Sequence, residues 1–379
     1  MLVKKITCSL PPDTYEIEIS HGLLQNPIKL IQDLQSLDSI KSCSAFVIIS
    51  DTLVKPLYAD SLAKACKDLG LHIVQLTFPA GEINKTRSTK EQLEDQMLEN
   101  AVGADTCLIA IGGGVTTDLA GFIASTYCRG IPLVLIPTSL LSMVDASIGG
   151  KNGVNTPFGK NLIGTTTEPK KVIIDFETLK TMKPKDLRDG FVEIIKHALI
   201  SSSTFFEYLE EHPTKLLSLD LLHLDNLIAE SCLIKVKIVL EDQQIKGKRN
   251  LLNFGHTIGH ALENLTNYSL SHGEAVAIGI LVESYMAFKL DIFDYPSIER
   301  IKNLFLKYGL PLKLQKKLPI DDLLHAMVFD KKSVKKRARF VIIEQIGTCL
   351  ECDFHYCKAV DEAFLIDALN WMNQEFVEL

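Results

Sequence analysis

The chain has 379 residues, more than one hydrophobic core usually supports, so two domains are the expected organisation. A net charge of −7 with no basic stripe argues against a general nucleic-acid-binding role, although local lysines can still bind an anionic substrate. Nine cysteines, an odd number, and an N-terminus without an apolar segment argue against a disulfide framework and a signal peptide. We therefore expect a soluble cytoplasmic protein, in which Cys349 and Cys352 are ordinary thiols.

Short apolar runs alternate with amphipathic stretches in the first half of the chain. The pattern predicts strands at 45–50, 71–78, 106–111, 133–136 and 172–175, and helices at 57–69 and 88–99. Several of the runs are apolar almost throughout, which is typical of parallel strands covered by helices on both faces. This alternation predicts a Rossmann-like α/β domain over residues 1–181.

Longer helical patterns follow from residue 182 onward. Apolar residues recur at helical spacing in 191–199, 216–240, 258–265, 274–290, 297–308 and 361–376, and only 340–346 has the pattern of a strand. The sequence therefore predicts a mainly α-helical second domain over residues 182–379.

Three consecutive glycines, Gly112, Gly113 and Gly114, follow the predicted strand at 106–111 and lead into a helix. Glycines here allow backbone N–H groups to approach a diphosphate, and the helix N-terminus adds favourable partial charge. The spacing is not the usual GxGxxG, so a tight turn without a ligand is an equal alternative for this motif alone. Asp51, directly after the strand at 45–50, is placed to hold a ribose diol.

A glycine-rich stretch contains Asp145, Lys151, Lys160 and Asn161. The two lysines supply point charges suited to a phosphate or a carboxylate, and the adjacent glycines allow close backbone approach. A solvated loop is the alternative, but two glycine-bounded lysines so close to a nucleotide loop favour a binding role.

Three histidines and one glutamate have the composition of a metal site. His256 and His260 are four residues apart, so on a helix they project from one face. His272 follows them, and Glu193 lies upstream on another predicted helix. Catalytic zinc is held by three imidazole or carboxylate ligands with one open position. The spacing leaves open which two of the three histidines bind the metal.

These motifs together resemble the 3-dehydroquinate synthase family. The matching segments keep one order between residues 51 and 332: 113–122 (GGVTTDLAGF), 129–131 (RGI), 136–141 (IPTSLL), 144–151 (VDASIGGK), 159–164 (GKNLIG), 190–196 (GFVEIIK), 252–260 (LNFGHTIGH) and 271–274 (SHGE). Many motifs in register make this a specific match.

The resemblance implies a phosphate-eliminating carbon–oxygen lyase of the shikimate pathway, which leads to chorismate and the aromatic amino acids. Such an enzyme converts 3-deoxy-D-arabino-heptulosonate 7-phosphate (DAHP) to 3-dehydroquinate and phosphate. The route is transient oxidation by NAD, phosphate elimination, re-reduction and intramolecular aldol closure. The resemblance also implies an NAD-binding first domain, a metal-binding second domain, one divalent metal (zinc, with cobalt as an alternative) and a homodimer.

Site residues are carried over motif by motif. The metal ligands would be Glu193, His256 and His272, whereas His260 would face the substrate. The residues expected to hold NAD are Asp51, Glu82, Lys85, Gly113, Gly114, Val115, Asp118, Thr138, Ser139, Lys151, Lys160, Thr178 and Thr181. Those expected around the substrate are Arg129, Asp145, Lys151, Lys160, Asn161, Lys196, Lys235, Arg249, Asn253, His260 and one of Lys331 and Lys332.

Two segments depart from the family pattern. Gln243 and Ile245 stand where the family usually has acidic residues, and 164–169 (GTTTEP) replaces a stretch that contains an aromatic residue. The alternatives are a related sugar phosphate cyclase, a metal-dependent polyol dehydrogenase and a catalytically inactive NAD-binding protein. Lys151, Lys235 and His260 suit a carboxylate-bearing substrate, which favours the synthase over the other cyclases.

Overall fold

The computed structural model describes residues 3–10, 13–157, 159–242, 247–267, 269–328, 338–352 and 355–377. The chain divides into two compact units, Met1–Met182 and Lys183–Leu379. None of the helices in the described ranges combines the length and the hydropathy that crossing a bilayer requires.

The first unit is an α/β structure. Its strands are β1 (Lys4–Leu10), β2 (Asp13–Ser20), β3 (Ala45–Asp51), β4 (His72–Phe78), β5 (Thr106–Gly112), β6 (Leu133–Pro137), β7 (Lys151–Thr156), β8 (Gly159–Thr166) and β9 (Lys171–Asp175). Its α-helices are α1 (Pro27–Gln35), α2 (Asp60–Asp68), α3 (Arg87–Glu99) and α4 (Gly114–Thr126). Short 3₁₀ or π turns occur at Leu23–Gln25, Lys55–Ala59, Glu82–Asn84, Tyr127–Arg129, Ser142–Ala146 and Phe176–Thr181.

Seven strands form one sheet in the order β1-β2-β9-β6-β5-β3-β4. Along this order, every pair of neighbouring strands from β2 to β4 is parallel, whereas β1 is antiparallel to β2. Alternate residues of β3 and β5, such as Phe46, Ile48 and Ile109, pack with α1 and α2 in one core. The intervening residues Val47 and Leu108 are also fully buried. Burial on both faces explains why these strands are apolar almost throughout.

All five strands predicted in the first half are present. The β1–β2 hairpin was not among the predictions, although β1 has the alternating burial of a half-exposed strand. The glycine-rich stretch, for which no strands were predicted, forms the antiparallel pair β7–β8. A Cβ atom on Gly153 would lie 2.6 Å from the carbonyl oxygen of Ile163, so glycine permits this close pairing.

The second unit is largely helical. Its helices are α5 (Pro184–Ser201), α6 (Ser203–Glu211), α7 (Pro213–Leu217), α8 (Leu221–Glu241), α9 (His256–Leu265), α10 (His272–Lys289), α11 (Tyr295–Lys307), α12 (Ile320–Val328) and α13 (Glu362–Glu375). A 3₁₀ turn spans Lys248–Asn253, and β10 (Ile343–Gln345) pairs with β11 (Thr348–Cys349). Helix α10 is buried on nearly all sides among α5, α9, α11 and α13, as expected of an apolar central helix.

Two predictions for this unit differ from the structure. The helix predicted over 216–240 is interrupted at Asp220, whose carboxylate accepts a hydrogen bond from the backbone N–H of His223 and caps α8. The strand predicted over 340–346 is regular only at Ile343–Gln345, with one isolated bridge between Phe340 and Lys358.

Candidate metal centre and nucleotide site

Helix α5 carries a buried carboxylate and a buried ammonium group one turn apart. Glu193 is fully buried, and Lys196 is 1% exposed. Nζ of Lys196 contacts Oε2 of Glu193 and donates a hydrogen bond to the carbonyl oxygen of Leu252 at 2.8 Å. A buried carboxylate is costly without a partner, and the ammonium group of Lys196 compensates its charge. Oε1 of Glu193 faces two histidines.

Both of those histidines begin a helix. His256 is the first residue of α9, after Gly255, whose φ of 77° lies in the left-handed region. A Cβ atom on Gly255 would lie 2.7 Å from the backbone nitrogen of Ile280, so this glycine also allows α9 to pack closely on α10. His272 is the first residue of α10, which Ser271 caps.

The donor atoms of these three side chains converge. Nε2 of His256 lies 3.5 Å and Nε2 of His272 lies 3.6 Å from Oε1 of Glu193. All three ligand atoms lie within 4.8 Å of one another. Two ligand atoms, each about 2 Å from a tetrahedral zinc ion, would be about 3.3 Å apart, so the observed spacing fits one shared ion.

The other ring nitrogens of both histidines contact oxygen atoms. Nδ1 of His256 lies 3.0 Å from the carbonyl oxygen of Phe254, and Nδ1 of His272 lies 3.3 Å from Oε2 of Glu263. An N–H at Nδ1 that donates to such an oxygen leaves the lone pair of Nε2 for a metal. The donor set and its supporting contacts therefore fit a divalent metal.

His260 lies beside this centre. Its ring centroid is 5.5 Å from that of His256 and 6.2 Å from that of His272. His260, Glu263 and His272 also have ligand atoms within 4.8 Å of one another. Because Glu263 contacts Nδ1 of His272, the geometry favours Glu263 as the support of that ring and Glu193 as the ligand.

Electrostatics at His272 are set by opposing effects. Burial lowers the pKa of its imidazole, but the contacts with the carboxylates of Glu193 and Glu263 outweigh burial and raise the pKa to about 10. Without a metal, His272 is therefore protonated at neutral pH. A metal that binds Nε2 must displace this proton.

Three cations of the second unit that were expected around the substrate are buried: Lys196, Lys235 and Arg249. Lys235 lies on α8, and Arg249 belongs to the 3₁₀ turn that ends at Asn253. Three buried cations in one unit supply concentrated positive charge, which suits an anionic substrate. Lys331, Lys332, Gln243 and Ile245 lie outside the described residues.

The sheet of the first unit has a topological switch point. The chain passes from β3 to β4 on one side and returns to β5 on the other side of β3. Ligands of open α/β sheets bind at such a point, outside the carboxyl ends of the strands. Asp51 ends β3 and Gly112 ends β5, so the expected carboxylate and glycine turn lie at this point.

Local contacts at this edge orient the groups that could bind a nucleotide. Oδ1 of Asp51 accepts hydrogen bonds from the backbone N–H groups of Leu53 at 2.8 Å and Val54 at 2.9 Å, which orients the carboxylate. Its Oδ2 lies 3.5 Å from Oγ1 of Thr116 on α4. Gly113 is the N-cap of α4 and has no side chain to cover the first-turn N–H groups, which suits a phosphate.

A second polar group forms beside this edge, around Lys85. Nζ of Lys85 contacts Asp118 and lies 2.6 Å from Oδ1 of Asn161. Burial lowers the pKa of Lys85, but Asp118 and Glu82 outweigh it and raise the pKa, which keeps the lysine charged. Asn155 completes the group, because its side chain contacts Oε1 of Glu82 at 2.7 Å and the backbone N–H of Asn161 at 3.1 Å.

The strand-end residues Thr138 and Ser139 adjoin the glycine turn. The N–H of Thr138 donates to the carbonyl oxygen of Gly112 at 2.9 Å, and a Cβ atom on Gly113 would lie 3.3 Å from Oγ of Ser139. Thr178 is buried and its hydroxyl contacts the carbonyl oxygen of Thr138 at 3.3 Å. The hydroxyl of Thr181 lies 2.9 Å from that of Tyr58.

The remaining residues expected at the two sites lie on several elements of the first unit: Val115 and Asp118 on α4, Asp145 in the turn Ser142–Ala146, Lys151 on β7 and Lys160 on β8.

Arg129 is separated from these residues. It is exposed and follows the C-terminal end of α4, whereas Gly114 begins that helix. Thirteen helical residues span about 20 Å at about 1.5 Å each, which places Arg129 at the opposite end of α4. Within its own unit, Arg129 is therefore not brought to the carboxyl edge of the sheet.

The sequence did not predict roles for Glu263, Asn155 and Asp189. Of these, Asp189 accepts a hydrogen bond at its Oδ1 from Oγ of Ser271 at 2.7 Å. Glu263 lies on the helix of His256 and His260, and its position three residues after His260 was the available signal. The hydrogen bonds of Asn155 and Asp189 join distant segments, for which the sequence offers no periodic signal.

Solved structures with this architecture include sugar phosphate cyclases. A 2-epi-5-epi-valiolone synthase from Streptomyces hygroscopicus subsp. jinggangensis 5008, with NAD⁺ and Zn²⁺ bound, superposes with a TM-score of 0.83 at 25% identity, over 97% of this chain and 98% of that chain. A 2-deoxy-scyllo-inosose synthase complexed with carbaglucose-6-phosphate, NAD⁺ and Co²⁺ gives a TM-score of 0.84 at 23% identity, over 97% and 99%. The expected two-part fold, an α/β unit followed by a mainly helical unit, is thereby confirmed.

The chain belongs to the 3-dehydroquinate synthase family. The family model for the 3-dehydroquinate synthase N-terminal domain matches residues 75–189, and that for the C-terminal domain matches residues 190–333. A 3-dehydroquinate synthase from Synechococcus sp. is 39% identical over 348 residues, which cover 90% of this chain and 93% of the relative. Another, from Nitrosomonas europaea, is 40% identical over 335 residues, covering 88% and 89%.

These findings confirm the predicted family and, with it, the predicted class of enzyme, a phosphate-eliminating carbon–oxygen lyase. Identity to the synthases clearly exceeds identity to the other cyclases. The alternative of a different sugar phosphate cyclase is therefore disfavoured.

Proposed function

We propose that the chain converts DAHP to 3-dehydroquinate and phosphate, with NAD and one divalent metal as resident cofactors. The observation that carries this proposal is the convergence of Nε2 of His256 and Nε2 of His272 on Oε1 of Glu193, at 3.5 and 3.6 Å. When bound, NAD would take a hydride from the substrate and later return it, and the metal would polarise the oxygen at the carbon being oxidised.

Glu193, His256 and His272 are the proposed ligands, with zinc as the expected metal and cobalt as the alternative. The supporting contacts of Phe254 and Glu263 hold the two imidazole rings in the orientation that ligation needs. Cocrystallised Zn²⁺ and Co²⁺ in the similar cyclases agree with this choice of metals.

NAD is assigned to the switch point of the first unit. Asp51 would hold ribose hydroxyls, and the glycine turn with the N-terminus of α4 would hold the diphosphate. The complete proposed set is Asp51, Glu82, Lys85, Gly113, Gly114, Val115, Asp118, Thr138, Ser139, Lys151, Lys160, Thr178 and Thr181.

Cations and amides are assigned to the substrate, which carries a phosphate and a carboxylate. The proposed set is Arg129, Asp145, Lys151, Lys160, Asn161, Lys196, Lys235, Arg249, Asn253, His260 and one of Lys331 and Lys332. The buried cations among them would hold the two anionic groups, exclude water and fix the orientation of the reacting carbons. The phosphate of the substrate itself can take the proton in the elimination, and the held geometry favours the final aldol closure.

A homodimer and a cytoplasmic location complete the proposal. The separation of Arg129 from the carboxyl edge of its own sheet supports a dimer, in which this arginine would serve a second copy of the chain. The odd number of cysteines, nine, argues against a disulfide framework and so suits a reducing compartment such as the cytoplasm.

The direct test measures phosphate release from DAHP by the purified chain with NAD and zinc, with and without a chelator. We expect phosphate release that the chelator abolishes, while the absorbance of NADH stays near zero because the hydride is returned. Net accumulation of NADH from a simple polyol would indicate a dehydrogenase instead. Absence of turnover with several divalent metals would contradict the proposal.

A further inference from the structure

We propose that Asp189 is a positioning residue of the metal centre and acts through Ser271, an inference that rests on the metal-dependent function proposed above. Asp189 lies on α5, one turn before Glu193, and Ser271 directly precedes His272. Oγ of Ser271 donates a hydrogen bond to Oδ1 of Asp189 at 2.7 Å. A single hydrogen bond thus joins the helix of the carboxylate ligand to the residue beside a histidine ligand.

The hydroxyl group of Ser271 makes two different contacts. It donates its only hydrogen to Asp189 and accepts a hydrogen bond from the backbone N–H of Glu274 at 3.3 Å. The carboxylate of Glu274 in turn accepts from the backbone N–H of Ser271 at 2.8 Å. This capping box fixes the direction of the first turn of α10, and the bond to Asp189 fixes the position of that turn on α5. His272 is the first residue of the turn.

Close backbone packing at Asp189 also restrains the position of the first turn of α10. A Cβ atom on Gly273 would lie 2.7 Å from Cα of Asp189, so the first turn of α10 packs directly on the backbone of α5. The nearby ion pair of Lys185 and Glu274, at 3.5 Å, includes a lysine side chain that is 54% exposed, and such pairs contribute little. The partly buried hydrogen bond of Asp189 is therefore the stronger restraint on this turn.

The consequence concerns the distance between two ligands. Oε1 of Glu193 and Nε2 of His272 are 3.6 Å apart, and both ligands lie one turn or less from the Asp189–Ser271 bond. Groups that orient metal ligands typically alter metal affinity by about 10–100-fold. We expect Asp189→Ala to weaken metal binding by about this factor. Asp189→Asn should stay close to wild type, since its amide oxygen still accepts the hydrogen bond.

The experiment titrates the full-length, chelator-stripped chain with Co²⁺ and records the visible absorption bands, which report both affinity and ligand geometry. Zn²⁺ affinity is then measured by competition with a chromophoric chelator. The variants are Asp189→Ala, Asp189→Asn, Ser271→Ala and Ser271→Thr. The matched control is Asp186→Ala, which removes an exposed carboxylate from the first turn of the same helix.

The expected result is weaker binding and altered cobalt bands for Asp189→Ala and Ser271→Ala, with wild-type behaviour for Asp189→Asn, Ser271→Thr and the control. The double alanine variant should bind no more weakly than the weaker single variant, because both remove one interaction. Should Asp189→Ala not fold, as judged by circular dichroism, the comparison of Ser271→Ala with Ser271→Thr decides the question alone.

Wild-type affinity and bands in the alanine variants would overturn the inference, as would fully additive losses in the double variant. A wild-type chain that binds neither metal would instead contradict the proposed function itself. The two failures are therefore distinguishable.

Discussion

The ammonium group of Lys196 contacts the carboxylate of Glu193 one turn earlier on the same helix, and both side chains are almost completely buried. Glu193 thus has a cation on one carboxylate oxygen and two imidazoles facing the other. This arrangement presents a charged ligand to the centre without leaving the carboxylate unpaired in the absence of a metal. The contribution of the Lys196–Glu193 ion pair to the free energy of unfolding can be measured directly.

Lys196→Met should lower the free energy of unfolding of the metal-free chain by up to about 3–5 kcal/mol, because it removes the nearest cation and leaves the buried carboxylate only the more distant imidazolium of His272. Added zinc should restore much of this loss, since the ion supplies positive charge at Glu193. Chemical denaturation with and without zinc measures both effects. Lys289→Met is the control, because Lys289 forms an exposed pair with Asp367 and should change stability by less than about 1 kcal/mol.

His256→Ala and His260→Ala should differ in metal content. His256 directs Nε2 at Glu193, so its loss should abolish stoichiometric zinc binding. His260 is assigned to the substrate, so its loss should keep the metal and lower turnover by roughly 10²–10⁴-fold. Metal analysis of the two purified variants, together with phosphate release, tests this difference. Equal metal loss in both would refute the ligand assignment.

Asp51→Asn should weaken NAD binding by roughly 10–100-fold, the effect of losing a hydrogen bond to a charged group. The amide oxygen of asparagine can still accept from the N–H groups of Leu53 and Val54, so the loop should keep its conformation. Calorimetric titration with NAD and thermal unfolding separate the two effects. The exposed Asp95→Asn on α3 is the control; an unchanged NAD affinity in Asp51→Asn would remove Asp51 from the site.

Lys171→Met should destabilise the chain in a pH-dependent way. Burial raises the pKa of Glu16, but its hydrogen bonds with Lys5 and Lys171 outweigh burial and lower the pKa below 4.5. A lowered pKa in the folded state stabilises the fold above the unfolded value and loses this effect as the pH falls.

The cost of losing the contact with Glu16 should therefore be up to about 1 kcal/mol at pH 7, because solvent screens this partly exposed carboxylate, and should shrink below about pH 4.5. Unfolding curves measured across this range provide the test. Lys5→Met is the matched control, since Lys5 is more exposed and contacts the same carboxylate. A cost that does not depend on pH would show that Lys171 acts through packing alone.

Arg129→Ala should lose activity and regain part of it in mixed dimers. Suppose that Arg129 of each chain contributes to the substrate site of the other chain. A dimer of one Arg129→Ala chain and one Lys196→Ala chain then contains one intact site, because the Arg129→Ala chain keeps its own Lys196 and receives Arg129 from the other chain. Random mixing should then recover about one quarter of wild-type phosphate release. Mixing Lys196→Ala with His260→Ala is the control and should recover none. No recovery in the first mixture would assign Arg129 to its own chain.

The sequence by itself determined the elements and residue types that depend on local patterns. The fully apolar runs at 45–50 and 106–111 predict buried parallel strands, because strands with two covered faces have no polar side. The glycines after the second run indicate a nucleotide turn, and the four-residue spacing of His256 and His260 places them on one helical face.

Only the tertiary structure decided how those residues are paired. Helical spacing alone makes His256 and His260 equivalent, whereas packing of α9 and α10 on α5 brings His256 and His272 to the same oxygen of Glu193. The support from Glu263 and the bond between Asp189 and Ser271 also depend on this packing. Such contacts join segments far apart in the chain, so no local periodicity encodes them and the packed helices alone set their distances.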